Sequence, residues 1–190
     1  MSYGKVIIVC APSGSGKSTI VKFLLNQFKS LSFSVSVTTR SIRSNEVDGK
    51  DYYFINKKKF KKLIKEKKLI EWEEVYNGDF KGTLKSEVVN LIAHKKNIIF
   101  DVDVRGGLSL KEYFKNAGLS LFIHASSINI LKQRLILRGT ESLDIINERM
   151  NKAREEIKLK NRFDKIVINL ELDETYKNVK KIVDNFLDKV

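Results

Sequence analysis

The chain has 190 residues, 42% apolar and 31% charged, enough to bury a core and too apolar for wholesale disorder. It carries 36 Lys+Arg against 23 Asp+Glu, a formal charge of +13 that points to acidic partners without choosing among nucleotides, nucleic acid and anionic membrane. A single cysteine, Cys10, excludes an internal disulfide framework, and the length fits one domain with small insertions.

Residues 5–10 form a short apolar, β-rich run, followed by a helical face of Ile20, Phe23, Leu24, Gln27 and Phe28 within residues 16–30. The apolar run at 6–11 is far short of a membrane span, so a soluble, cytoplasmic protein is expected. Phe33, Val35 and Val37 alternate with Ser32, Ser34 and Ser36, the spacing of a strand with one polar face. Residues 51–85 break the rhythm: strand-like pieces at 52–55, 70–75 and 79–82 surround a lysine-rich helix whose Phe60, Leu63 and Ile64 form one buried stripe. This is the pattern of an inserted α+β lobe. The lysines around that stripe fit a solvated helix face better than a nucleic-acid patch, since no aromatic residues interleave for base stacking. Buried strands at 97–102, 119–124 and 165–168 then alternate with helices at 108–116, 128–137 and 143–160, and a last helix aligns Tyr176, Val179, Ile182, Val183, Phe186 and Leu187. The alternation predicts an α/β fold, a parallel sheet flanked by helices.

The strongest motif, Ala11-Pro12-Ser13-Gly14-Ser15-Gly16-Lys17-Ser18, lies between the first strand and the first helix. Its glycines let backbone N–H groups fold around phosphate oxygens, and the helix N-terminus adds favourable partial charge. Lys17 can reach the β- and γ-phosphates and Ser18 can hold Mg²⁺. Ala11 stands where the general pattern has Gly; the alternative is a structural glycine turn. Asp101, closing the apolar run Ile98-Ile99-Phe100, supplies a carboxylate for the metal, or else caps a turn.

Only eight of the basic residues are arginines, and five form two sets: Arg40 with Arg43 after a strand, and Arg134 with Arg138 at i, i+4 on one helix with Arg149 on the next. Forked, planar donors suit two anionic substrates; surface salt bridges are the plainer alternative.

These residues, with Ser34–Arg40 and Arg43, Glu46–Phe54, Ile70-Glu71-Trp72, Gly82-Thr83, Asp101-Val102-Asp103, Arg138–Glu141, Arg149 and Asn169, resemble the guanylate kinase family over nearly the whole chain. The resemblance implies a P-loop nucleoside-monophosphate kinase fold with a core (1–33, 84–126, 160–190), a GMP-binding lobe (34–83) and a helical lid (127–159). It implies transfer of the γ-phosphate of ATP to GMP, and to dGMP, with Mg²⁺. Monomer and homo-oligomer both remain open, and neither nucleic acid nor membrane is an expected partner. Ala11, Pro12, Ser13, Gly14, Ser15, Gly16, Lys17, Ser18 and Thr19 would hold ATP, with Arg138 and Asn169 bordering adenine and Ser18 and Asp101 at the metal. Ser36, Arg40, Arg43, Tyr52, Glu71, Thr83 and Asp103 would contact GMP. Lys17, Arg134, Arg138 and Arg149 would serve the transferring phosphate, and Gly139 would let the lid bend. The family typically has Tyr before Gly-Thr, where this chain has Lys81 before Gly82-Thr83. Lys81 is expected to replace the phenol as a point charge on the GMP phosphate; the alternative is a solvated lysine at a loop tip. The rival function is a non-catalytic guanylate-kinase-like interaction module, which retention of Lys17, Ser18, Asp101 and the three lid arginines disfavours.

Overall fold

Strand β1 (Val6–Cys10) is buried at every position because both faces of its sheet are covered. The computed structural model describes residues 4–44, 46–75, 78–139 and 142–188. The core sheet has five strands in the order β2 (Leu31–Phe33), β7 (Asn97–Val102), β1, β8 (Gly118–Ala125), β9 (Lys165–Asn169), and all its pairings are parallel. One face packs Ile7, Val9 and Ile99 against Ile20 and Leu24 of α1 (Lys17–Gln27) and Val179 and Val183 of α7 (Leu172–Leu187). The other packs Ile8, Cys10 and Phe100 against Val88 of α3 (Lys85–Ala93) and Leu110 of α4 (Val104–Phe114). Continuous apolar strands are what a doubly covered parallel sheet requires.

A second, four-stranded sheet runs β4 (Tyr52–Phe54), β3 (Ser36–Thr38), β6 (Phe80–Leu84), β5 (Leu69–Glu74). Only its β3/β4 pair is parallel. Phe60 of α2 (Lys57–Lys65) fills its core against Val37, Leu69 and Phe80, the use expected of the lysine-helix stripe. Helices α5 (Ile128–Arg138) and α6 (Leu143–Lys158) pack together through Leu131, Leu135, Ile146, Met150 and Ala153.

Two local expectations are corrected. The alternating stretch Ser32–Val37 is not one strand: Leu31–Phe33 belongs to the core sheet and Ser36–Thr38 to the second, so the chain changes sheets at Ser34-Val35. Ser34 and Ser36 are both buried, so the polar spacing marks no solvent face. Helix α3 follows directly from β6 without a turn signal, and α4 begins at Val104, ahead of the expected 108. No helix among the described residues is long and apolar enough to cross a membrane.

Candidate active site

The loop between β1 and α1 adopts left-handed backbone at Gly14 (φ 85°) and Gly16 (φ 84°), conformations that side chains disfavour. At Gly16 a Cβ would also meet the Asn169 amide nitrogen at 2.5 Å. That amide, buried at the end of β9, donates to the Ser15 carbonyl at 2.8 Å and braces the loop from below. From above, Arg149 of α6 donates to the Ser13 hydroxyl at 2.8 Å, and Arg134 of α5 reaches the Gly14 carbonyl at 3.5 Å. Ala11 and Ser15 are buried, while Thr19 is exposed on α1. Gly139 ends α5 in left-handed backbone (φ 66°) with open space around it. The side chain of Arg138, and Thr140 and Glu141 entirely, lie outside the described residues.

Because strands β1 and β7 are parallel neighbours, Asp101 ends beside the loop, at the crevice where ligands of such sheets bind. Its carboxylate takes the Lys17 ammonium on Oδ1 and the Ser18 hydroxyl on Oδ2, the latter at 2.8 Å. Burial would raise the Asp101 carboxyl, but Lys17, Lys81 and these hydrogen bonds hold it below the ordinary aspartate range. Burial likewise opposes the Lys17 charge, as does the nearby Lys81, and Asp101 together with Asp103 and Tyr52 more than restores it. Asp101 is thus a buried ion-pair partner within a strand, not a turn cap.

Lys81 arrives from the second sheet. It sits within β6, not at a loop tip, and donates to the Asp101 backbone carbonyl at 3.0 Å with its ammonium 5.3 Å from the Tyr52 ring centroid. Burial disfavours its charge, but Tyr52, Asp103, Asp101 and Glu71 together raise its pKa. Arg40 stacks over the same Tyr52 ring at 5.0 Å and forks onto Glu46, which also accepts from the Arg43 backbone N–H at 3.0 Å. Glu46 therefore orders the two-arginine cluster, a role the sequence does not reveal because the carboxylate only approaches the arginines once the loop has turned.

Deeper in the cleft, Glu71 of β5 lies opposite Thr83 of β6, whose hydroxyl donates to Glu71 Oε1 at 2.6 Å. A register shift between Leu69 and Glu71 sends Leu69 to the lobe core and Glu71 to the cleft; bulges re-aim side chains in this way. Gly106 of α4 leaves room for the other carboxylate oxygen, which an added Cβ would meet at 2.7 Å. Burial pushes the Glu71 carboxyl up to about 7, against the Thr83 hydrogen bond and Lys81. Asp103 behaves oppositely: burial would raise it, yet Lys81, Lys17, Lys152 and Arg149 hold it at about 2. Ser36 is buried on β3, directly paired with Tyr52 in register.

The guanylate kinase family matches residues 3–186. The chain belongs to the guanylate kinase family. A guanylate kinase of Bacteroides fragilis is 44% identical over 183 residues, covering 96% of this chain and 90% of that protein. One from Mycoplasma mobile is 42% identical over 189 residues, covering 96% and 94%. The crystal structure of guanylate kinase from Anaplasma phagocytophilum superposes with a TM-score of 0.80 at 26% identity, covering 100% of this chain and 89% of that one. The family assignment and the parallel α/β core therefore agree with the expectations from the motifs.

Proposed function

We propose that the chain transfers the γ-phosphate of ATP to GMP, giving ADP and GDP, with dGMP as a second acceptor. The observation that carries this is convergence on Asp101: Lys17 and Ser18 reach its carboxylate from the phosphate loop, and Lys81, its ammonium over the Tyr52 ring, reaches its carbonyl from β6 of the second sheet. Donor-side and acceptor-side cations thus meet at one residue. On this proposal residues 34–83 are the GMP-binding lobe, 127–159 the lid and the remainder the core.

The acceptor is an ionised phosphate oxygen, so no strong general base is needed. What opposes reaction is repulsion between two polyanions, and catalysis consists of aligning them and neutralising charge. Lys17 serves the ATP β- and γ-phosphates, Arg134, Arg138 and Arg149 the lid side of the transfer, and Arg40, Arg43, Tyr52 and Lys81 the GMP phosphate. Loop residues 11–19 cradle ATP, and Asn169 holds that loop while bordering adenine. Among the described residues no three acidic, His or Cys side chains form a metal cage. One carboxylate, Asp101, and one hydroxyl, Ser18, suit Mg²⁺, which keeps waters and takes substrate phosphates as ligands. When bound, Mg²⁺ offsets phosphate charge.

Guanine presents N1–H and N2 amine donors, matched by Glu71 and Asp103, while Thr83 and Ser36 serve its other polar atoms. Adenine lacks the amine and would leave buried carboxylate oxygens unpaired, so the pocket can discriminate strongly. Lys17→Met should lower turnover by about 10²-fold or more, the scale of losing a preorganised charge at the transferring group. GMP binding, measured by calorimetry, should persist. Near-normal turnover in that variant would contradict the assigned mechanism.

A further inference from the structure

Helix α6 carries more than Arg149 on its inward side. Lys152 and Glu156 follow at spacings of three and four, which places all three on one face. Lys152 donates to Glu73 Oε1 at 2.8 Å, with both side chains largely buried (19% and 14% exposed). Glu73 lies two residues beyond Glu71 on β5, so both carboxylates emerge from the same side of that strand. A continuous row therefore joins the two ends of the cleft: Ser13 of the phosphate loop, Arg149, Lys152, Glu73 and, along the strand, the base-pocket residue Glu71.

A second carboxylate competes for the same ammonium, Glu156 at 3.8 Å. Burial pushes the Glu156 carboxyl up to about 8, helped by Asp103 and Glu73 and opposed by Lys152 and Lys17. At neutral pH it is mostly uncharged, which leaves the Lys152 charge to Glu73. Glu73 Oε2 is itself buried with no hydrogen-bond partner among the described residues, so losing Lys152 would strand a buried carboxylate.

We propose that Lys152 is a positioning residue for phosphoryl transfer: its ion pair with Glu73 fixes the helix carrying Arg149 to the strand carrying Glu71, so that GMP and ATP binding favour one another. This rests on the ATP:GMP function above. Neither residue needs to touch a nucleotide. Their pair transmits placement, and a coupling between two sites is by necessity felt equally from either one.

The test is GMP affinity by calorimetry, without and with a saturating non-hydrolysable ATP analogue and Mg²⁺. The ratio of the two dissociation constants is the coupling. Lys152→Met and Glu73→Gln should each reduce that ratio by about five-fold, at the lower end of usual coupling factors, while GMP affinity without the analogue changes much less. Lys152→Arg should preserve it, and the double variant Lys152→Met/Glu73→Gln should lose no more than either single one, as expected of one shared interaction. Glu73→Gln keeps the side-chain shape and carries the test should Lys152→Met fail to fold. A wild-type protein that binds no GMP would overturn the nucleotide function and this proposal with it. Normal GMP binding with an unchanged ratio in the single variants, or losses that add in the double variant, would overturn the role of Lys152 alone.

Discussion

Lys81 stands where the family resemblance leads one to expect a phenol, and its surroundings explain how an ammonium is tolerated there. The side chain leaves β6 toward the cleft, rests on the Asp101 carbonyl and lies over Tyr52, with Asp103 and Glu71 nearby to stabilise its charge. Phe80, its neighbour, faces the other way and stacks on Phe60 in the lobe core. Lys81→Ala should therefore raise KM for GMP with little change in KM for ATP, and Lys81→Tyr should recover much of the loss; steady-state kinetics on both substrates check this. Glu71 gives a second prediction at this scale. Burial pushes its carboxyl up to about 7, and guanine N–H donors favour the ionised form, so on the proposed function GMP binding should expel a proton. Affinity should fall by up to about tenfold per pH unit below about 7. The nucleotide phosphate itself titrates near pH 6, so the measurement is the difference from Glu71→Gln, whose pH dependence should be the shallower. The sign for stability is the reverse: a folded-state value raised above the ordinary carboxylate range gives stability that is present at low pH and lost as pH rises through about 7.

At the scale of elements, the site depends on how the second sheet is built. Phe60 is fully buried between α2 and the sheet, and the register shift before Glu71 sorts Leu69 and Glu71 to opposite sides. Phe60→Ala should cost about 3–5 kcal/mol of stability, typical of a large core truncation, and should raise KM for GMP more than KM for ATP, because the ATP loop stands on the other sheet. Thermal unfolding with parallel kinetics tests both parts. The elements also show what can be read in the chain. The phosphate loop is legible because its glycines, Lys17 and Ser18 act through a short, local backbone turn. The lysine-helix stripe is legible because it is periodic. Residues 32–37 mislead because period-two alternation reports burial on a strand and cannot say which sheet receives each half. Glu46 acts on Arg40 through a loop closure, and Lys152 meets Glu73 across 79 residues, so neither has a spacing signature.

Across the whole molecule, the charge of +13 divides into two populations. Lys58, Lys61 and Lys65 are exposed on α2, as expected of a solvated helix face, whereas Lys17, Lys81, Lys152, Arg40 and Arg149 line the cleft and pair with Asp101, Glu73, Glu46 and Ser13. On the proposed function, such a cleft would gather polyanions at both ends and balance them with carboxylates able to read a base, the arrangement a nucleotide phosphotransferase needs. The most direct measurement is ADP release in a coupled assay with ATP, Mg²⁺ and, in separate reactions, GMP, dGMP, AMP and CMP. Turnover should be fastest with GMP, follow with dGMP, and be lower by orders of magnitude with AMP and CMP. Absence of GMP-dependent ADP release, or equal release with AMP, would contradict the account.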